Sequence, residues 1–126
     1  MSVERNEMIS FIETVNPSAA SRLNNLIEKK QELIEKGNVY GESYSERKFW
    51  LAVDPIIKTE YKRSQILQKI KNKALSVRDI AKELSLSNKE VLLHITALRQ
   101  RNLILLDRIE GTSPKYLAAI QEESEE

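Results

Sequence analysis

The sequence predicts a mainly α fold with a small β-hairpin close to its carboxyl end. Apolar residues recur at helical spacing through most of residues 3–72. Ser76 and Ser87 then stand where the N-caps of two short, successive helices are expected. An apolar run at residues 103–106 and the segment Lys115-Tyr116-Leu117 flank a turn segment that contains Gly111, which is typical of a hairpin.

Length and composition limit the possible functions. The 126 residues suit one compact domain with an appended dimerisation element. No apolar run is long enough to span a bilayer, and residues 1–5 lack the layout of a signal peptide, so we expect a cytoplasmic protein. Cysteine is absent and His94 is the only histidine, which excludes thiolate metal sites and cysteine nucleophiles. With no Gly-rich phosphate loop and no Ser-His-Asp set, we expect neither an enzyme nor a cofactor.

The charge is distributed unevenly along the chain. Residues 1–57 hold 7 Lys and Arg against 9 Asp and Glu, residues 58–120 hold 13 against 6, and residues 121–126 hold 0 against 4. The basic surplus therefore coincides with the two serine caps. It fits either a binder of polyanions or an ordinary lysine-rich surface.

Cap-then-proline pairs and glycines divide the amino-terminal part. Asn16-Pro17 and Asp54-Pro55 each look like a cap followed by a proline at the first helical position, and Gly37 can supply a left-handed stop. These signals predict helices over residues 3–15, 17–36, 46–53 and 55–72, with a loop at 37–45 and Ser45 as the cap of the third helix. We expect a helical segment for packing or dimerisation over residues 1–54, a second domain over 55–120 and a disordered acidic tail at 121–126.

An aromatic cluster accompanies the predicted loop and the short helix after it. It could line a small-molecule pocket, or it could belong to the core or to a dimer interface. Its members are Tyr40, Tyr44, Phe49 and Trp50.

The segment after Leu75 carries the most specific pattern. A tight turn at Ser85-Leu86 would join the two capped helices, Ala81 is small where they must cross closely, and Asn102 can adopt the left-handed conformation that ends the second helix. The residues expected to face inward are Ile80, Leu84, Leu86, Val91, Ile95 and Leu98.

Residues 65–117 resemble the winged helix-turn-helix of bacterial and archaeal regulators of the MarR and ArsR type, in which a similar pattern, (T/S)(V)xx(L/I)AxxLxLSxxxVxxH(L/I)xxLxxxGLI, recurs. The resemblance covers under half of the chain. It implies a winged helix-turn-helix preceded by amino-terminal helices, with the hairpin as the wing and His94 as a semi-buried packing residue. It also implies a transcriptional regulator that binds double-stranded DNA as a homodimer through its amino-terminal helices.

The candidate DNA contacts follow from this resemblance and from the helical period of about 100° per residue. The start of the second helix offers backbone N–H groups to a phosphate, its outward face can enter the major groove, and cations on the flanks and wing can hold the DNA backbone or minor groove. The candidates are Ser76, Arg78, Ser87, Asn88, Lys89, Leu92, Leu93, Thr96, Arg99, Gln100, Arg108 and Lys115.

Leu92 and Leu93 depart from the pattern, because the two positions after the valine are usually polar or basic in the resembling families. Three interpretations stay open: packing against the amino-terminal helices or a dimer mate, contact with thymine methyl groups in the major groove, or docking of another protein. The third interpretation gives the alternative function, a winged-helix protein–protein interaction module in a larger complex.

Overall fold

A computed structural model describes residues 4–39 and 46–119, and for residues 36–39 the backbone alone. The mainly α class with a small antiparallel hairpin is confirmed. The chain divides into two compact units, Met1–Lys62 and Arg63–Glu126, so the division lies inside a helix and not at the predicted position after residue 54. The elements are α1 (Arg5–Val15), α2 (Pro17–Glu28), α3 (Lys30–Val39), α4 (Glu46–Lys69), α5 (Val77–Leu84), α6 (Asn88–Gln100), β1 (Ile104–Glu110) and β2 (Ser113–Ala118).

The first unit has its core between α1, α2 and the amino-terminal part of α4. Ile12 and Phe49 are fully buried there, and the small side chains of Ala19 and Ala20 let the helices approach closely. Each large apolar side chain removed from water stabilises the fold by about 1.5–3 kcal/mol. The core consists of Met8, Ile12, Ala19, Ala20, Leu23, Phe49, Val53 and Ile57.

The predicted helix over residues 17–36 is in fact two helices. Its start is as expected, with the Asn16 side chain accepting a hydrogen bond from the Ala19 N–H and Pro17 in the first turn. The break falls at Lys29, whose N–H turns back to the Leu26 carbonyl. Gly37, the predicted stop, lies within α3 and does not end it. A single glycine costs a helix only about 1 kcal/mol, so the helix can continue through it. The other predicted loop residues, 40–45 with the proposed cap Ser45, lie outside the described residues.

The predicted break at Asp54-Pro55 is also wrong, because α4 continues through Pro55. The Asp54 carboxylate does not cap a helix but accepts two hydrogen bonds from Arg5, from Nε at 2.8 Å and from Nη2 at 3.1 Å. These bonds hold the pKa of Asp54 below its ordinary value. The Arg5 guanidinium also lies 3.6 Å from the centroid of the Trp50 ring, so it links α1 to α4 at two points.

Both serine caps of the second unit are confirmed. The Ser76 hydroxyl accepts from the Asp79 N–H at 3.2 Å, and the Ser87 hydroxyl accepts from the Glu90 N–H at 3.0 Å. Between the two helices, Ser85 adopts the left-handed conformation with φ 57°. This lets the chain leave α5 and begin α6 within three residues.

The predicted inward residues form most of the second core. Four of the six are buried and the other two, Leu84 and Leu86, are half-buried. Ala81 is buried as its small size suggested. The buried apolar residues of this unit are Ile66, Leu67, Ile70, Leu75, Ile80, Ala81, Val91, Ile95, Leu98, Ile104, Tyr116 and Ala118.

The hairpin is longer than predicted. Asn102 adopts the expected left-handed conformation after α6, with φ 62°, and β1 then runs on to Glu110 where a loop was expected. A two-residue turn at Gly111-Thr112 suffices, because Gly111 takes the positive φ of 62° that such turns require. The pairing runs from Ile104 opposite Ala118 to Glu110 opposite Ser113, with an irregularity at Asp107.

The position of Pro55 inside α4 leads to a first prediction. Replacing Pro55 by alanine restores a donor to the helical hydrogen-bond ladder and removes the clash of the proline ring with the preceding turn. The two effects together are worth about 3 kcal/mol, while the unfolded chain regains about 1 kcal/mol of conformational freedom. We therefore expect Pro55→Ala to raise the free energy of unfolding by about 2 kcal/mol, measured by urea denaturation. The control Ser21→Ala, at an exposed position within α2, should change it by less than about 0.5 kcal/mol. An unchanged or lower value for Pro55→Ala would contradict the continuous helix.

Candidate nucleic-acid interface

The outward side of α6 is a candidate functional surface of the second unit. Burial of Val91, Ile95 and Leu98 fixes the rotation of this helix, and Leu92, Leu93 and Thr96 point away from the core. Leu92 and Leu93 are 50% and 62% exposed. Of the residues predicted for the outward face and flanks, Ala97 is half-buried and the others are exposed, namely Lys89, Leu92, Leu93, Thr96, Arg99 and Gln100.

The first turn of α6 is exposed as well. Ser87, Asn88 and Lys89 all lie at the surface. The Ser87 hydroxyl is already engaged with the Glu90 N–H, so its contribution at this point is to start the helix. A helix start of this kind attracts anions through the partial positive charge of its N–H groups.

Ser76 differs from Ser87, although sequence reasoning placed both at the interface. It is only 7% exposed, and its hydroxyl and backbone N–H form a reciprocal capping box with Asp79. We therefore correct its assignment from a DNA contact to a structural cap of α5. Leu75, which directly precedes it, pairs with Tyr116 of β2, a contact that the local sequence pattern does not encode.

The two cations of the hairpin are engaged in ion pairs. Arg108 donates to Glu110 at 2.8 Å and to Asp107 at 2.5 Å, and Lys115 lies 3.2 Å from Asp79 and 3.7 Å from Glu110. The hydrogen bond from Arg108 lowers the pKa of Glu110, and the hydrogen bond from Lys115 lowers the pKa of Asp79. A phosphate would have to compete with these carboxylates.

Four other basic side chains of this unit make no ion pair in the part of the chain that the structure describes, whereas Lys69 lies 3.5 Å from Glu83. Arg78 and Lys89 were predicted contacts, and both are exposed. Lys73 and Lys82 were missed, although their exposure and the local surplus of basic residues could have identified them. Both border an open cleft of about 340 Å³ that is also lined by Asp79, Glu83, Arg108 and Lys115.

A second shallow cleft, of about 310 Å³, lies where α6 meets β2. Its lining combines an apolar floor with polar groups at the rim. The Arg99 guanidinium stands 5.9 Å from the centroid of the Tyr116 ring, which keeps that cation beside the outward face of α6. The lining residues are Leu92, Ile95, Thr96, Arg99, Gln100 and Tyr116.

His94 lies on the inner side of α6. It is buried, its Nδ1 accepts a hydrogen bond from Arg63 Nε at 3.2 Å, and its Nε2 lies 3.6 Å from Glu90 Oε2. These partners make it a packing residue that connects α6 to the end of α4. No group of His, Asp or Glu suited to a metal ion occurs among residues 4–39 and 46–119.

The proposed aromatic cluster is only partly described. Phe49 is fully buried and meets Trp50 edge-on at 5.0 Å between ring centroids. Tyr40 and Tyr44 lie outside the described residues. Within the described ranges, no helix combines the length and the apolar composition that a membrane span requires.

No protein-family model matches this sequence, and no curated protein or solved structure shows significant similarity to it. The resemblance to regulators of the MarR and ArsR type therefore depends on the motif residues alone.

The pairing of Asp79 with Lys115 leads to a second prediction. Asp79→Asn keeps an oxygen that can accept from the Ser76 N–H but removes the charge that attracts Lys115 and favours the start of α5. Because Asp79 is well exposed, we expect a loss of only about 1 kcal/mol in the free energy of unfolding at pH 7.

This loss should depend on pH. The pKa of Asp79 is lowered in the folded state, so its contribution is complete above the unfolded-state pKa of about 3.9 and disappears as the pH falls through the folded-state pKa. Urea denaturation of both proteins from pH 7 downward measures the effect. The exposed Glu35, which lies beyond the first turn of α3, gives a control, Glu35→Gln, for which we expect little change. If the free energies of unfolding of the native protein and Asp79→Asn still differed in strong acid, the stabilising effect of Asp79 would not be electrostatic.

Proposed function

We propose that this protein is a cytoplasmic, DNA-binding transcriptional regulator whose second unit is a winged helix-turn-helix. The order of its elements supports the proposal. The end of α4 is followed by Leu75, which pairs with Tyr116, then by α5, α6 and the β1–β2 hairpin. In a winged helix the second helix of the motif enters the major groove, and α6 occupies that place in the order.

The observation that carries the proposal is the cationic rim around the exposed side of α6. Arg78 and Lys89 make no ion pair in the described ranges, and Arg99 lies against an aromatic ring and not against a carboxylate. The one acidic residue of α6, Glu90, lies towards His94. Cations left without intramolecular carboxylates are those that can neutralise phosphates and release counterions.

A homodimer completes the proposed regulator. Leu51 and Ile56 on α4 are 60% and 46% exposed, with Pro55 also exposed near them. Apolar side chains on one helix of the amino-terminal unit suit contact with a second copy. Such a dimer would present two copies of α6 to successive major grooves of a pseudo-palindromic operator.

The third prediction tests DNA binding itself. Fluorescence anisotropy with a labelled duplex of mixed sequence should show an affinity that falls steeply with salt, because each phosphate contact adds about 0.9 to the slope of log K against log salt. Lys89→Ala combined with Arg99→Ala should lower that slope by about 1.8. The control Arg22→Ala removes an exposed cation from α2 and should leave the slope unchanged. No binding at low salt would reject the function, and equal slopes for all three proteins would reject the phosphate contacts of Lys89 and Arg99.

A second candidate function is a winged-helix interaction module within a larger protein complex. The apolar surface of the hairpin favours it, since Leu105, Leu106 and Ile109 are exposed while both hairpin cations are paired. Such a hairpin presents apolar contacts to a protein, whereas its cations are already paired with carboxylates and are less available to a phosphate.

Leu93→Glu separates the two candidates and gives the fourth prediction. A carboxylate on the outward face of α6 should weaken DNA binding severalfold at low salt if that face enters a groove lined by phosphates. In an interaction module, the same change would leave any DNA affinity unaltered and would remove a protein partner that copurifies with the native chain. The two measurements are anisotropy with the duplex and copurification from the native cells.

A further inference from the structure

The centre of the outward face of α6 is apolar although its ends are polar. Lys89 and Gln100 stand towards the two ends, while Leu92, Leu93 and Thr96 lie between them. The exposed leucines cannot form hydrogen bonds with base edges. Any sequence preference that the two leucines give must come from apolar contact.

We infer that Leu92, Leu93 and Thr96 select thymine by contact with its C5 methyl group in the major groove; the inference rests on the proposed function. The thymine methyl is the one apolar group among the base edges of the major groove, and aliphatic side chains and the threonine methyl both contact it. An apolar centre on α6 thus gains a contact at A·T base pairs that an unmethylated G·C pair does not offer.

The spacing of the three side chains suits this assignment. Leu92 and Thr96 are four residues apart, which places them about 6 Å apart along the helix axis. Successive base pairs rise by about 3.4 Å, so the two side chains can reach thymines about two base pairs apart. Leu93 lies beside Leu92 on the same exposed side and widens the apolar surface.

The charges around this surface favour DNA over an apolar protein as its occupant. Lys89 and Arg99 bracket the leucines, and the helix has no acidic residue on its outward side. A surface with an apolar centre and a cationic rim complements a groove that has methyl groups on its floor and phosphates on both walls.

The fifth prediction uses duplexes that differ only in methyl groups. We expect the protein to bind an alternating dA–dT duplex more tightly than the same duplex built with deoxyuridine, which lacks the C5 methyl. The loss should be about fourfold for each methyl group contacted, the ratio that corresponds to about 0.8 kcal/mol. In the opposite direction, an alternating dG–dC duplex should bind more tightly when its cytosines are replaced by 5-methylcytosine, since that methyl occupies the same place in the groove.

The variants assign the effect to α6. Leu92→Ala combined with Leu93→Ala should give equal affinities for the thymine and uracil duplexes. The salt dependence should stay as it is, because no phosphate contact is removed. The matched control is Leu105→Ala, which truncates a leucine of nearly equal exposure on β1, outside α6, and should keep the full ratio.

The outcomes distinguish this inference from the function on which it rests. Equal affinity of the native protein for thymine and uracil duplexes, with salt-dependent binding to both, would overturn thymine selection and leave DNA binding intact. A ratio that survives the double leucine substitution would also overturn it. Failure to bind any of the four duplexes at low salt would reject both proposals. Because the native protein alone answers the first question, no doubt about the folding of a variant can obscure the result.

Discussion

The second unit depends on the backbone hydrogen bonds of its last strand, β2. One edge of β2 pairs with β1, and on the other side Leu75 and Tyr116 exchange two hydrogen bonds, of 3.0 and 2.7 Å. The Ala118 N–H donates to the Ile70 carbonyl at 2.9 Å, which connects the strand to the chain just after α4. Because Leu75 directly precedes the cap Ser76, these bonds also determine where α5 begins. The Lys115 side chain of the same strand reaches Asp79 in the first turn of α5 and strengthens this connection.

The surface that α6 presents follows from this arrangement through the link between α5 and α6. The Leu86 N–H donates to the Ala81 carbonyl, and the left-handed Ser85 redirects the chain, so Ser87 can cap the next helix at once. With so short a link, the rotation of α6 is fixed by which residues it buries. A helix that buries positions 91, 95 and 98 must turn positions 92, 93 and 96 outward. The exposure of the two leucines is therefore a consequence of the core.

Local signals in the sequence predicted the second unit better than the first. The caps Ser76 and Ser87 and the left-handed Asn102 depend on hydrogen bonds and sterics within a few residues, so the residue types alone identify them. Pro55 misled the prediction because its effect depends on tertiary context. Asp54, the expected cap, is held by Arg5, which lies far away in the sequence. The break at Lys29 has no glycine or proline to mark it.

In the candidate site, too, features that depend on neighbouring residues were predicted, and features that depend on residues far away in the sequence were not. Helical periodicity alone indicated which residues of α6 face outward, and those residues are exposed. Periodicity could not show that Ser76 is buried, or that Arg108 and Lys115 are paired, because these depend on where the hairpin folds back. Lys73 and Lys82 were overlooked for a related reason, since a lysine becomes a candidate only when its neighbours in space are known.

The pairing of charges explains how a chain with a net charge of only +1 can offer a cationic surface. In the second unit, the carboxylates of Asp79, Asp107 and Glu110 are engaged by Lys115 and Arg108 around the hairpin. Their negative charge is largely neutralised there, and the exposed cations of α5 and α6 keep theirs. Phosphate binding responds to the local charge within about a Debye length, roughly 8–10 Å in physiological salt, and not to the sum over the chain. The near-neutral total therefore does not argue against a polyanion partner, because the acidic residues that balance the sum are either paired at the hairpin or lie elsewhere in the sequence.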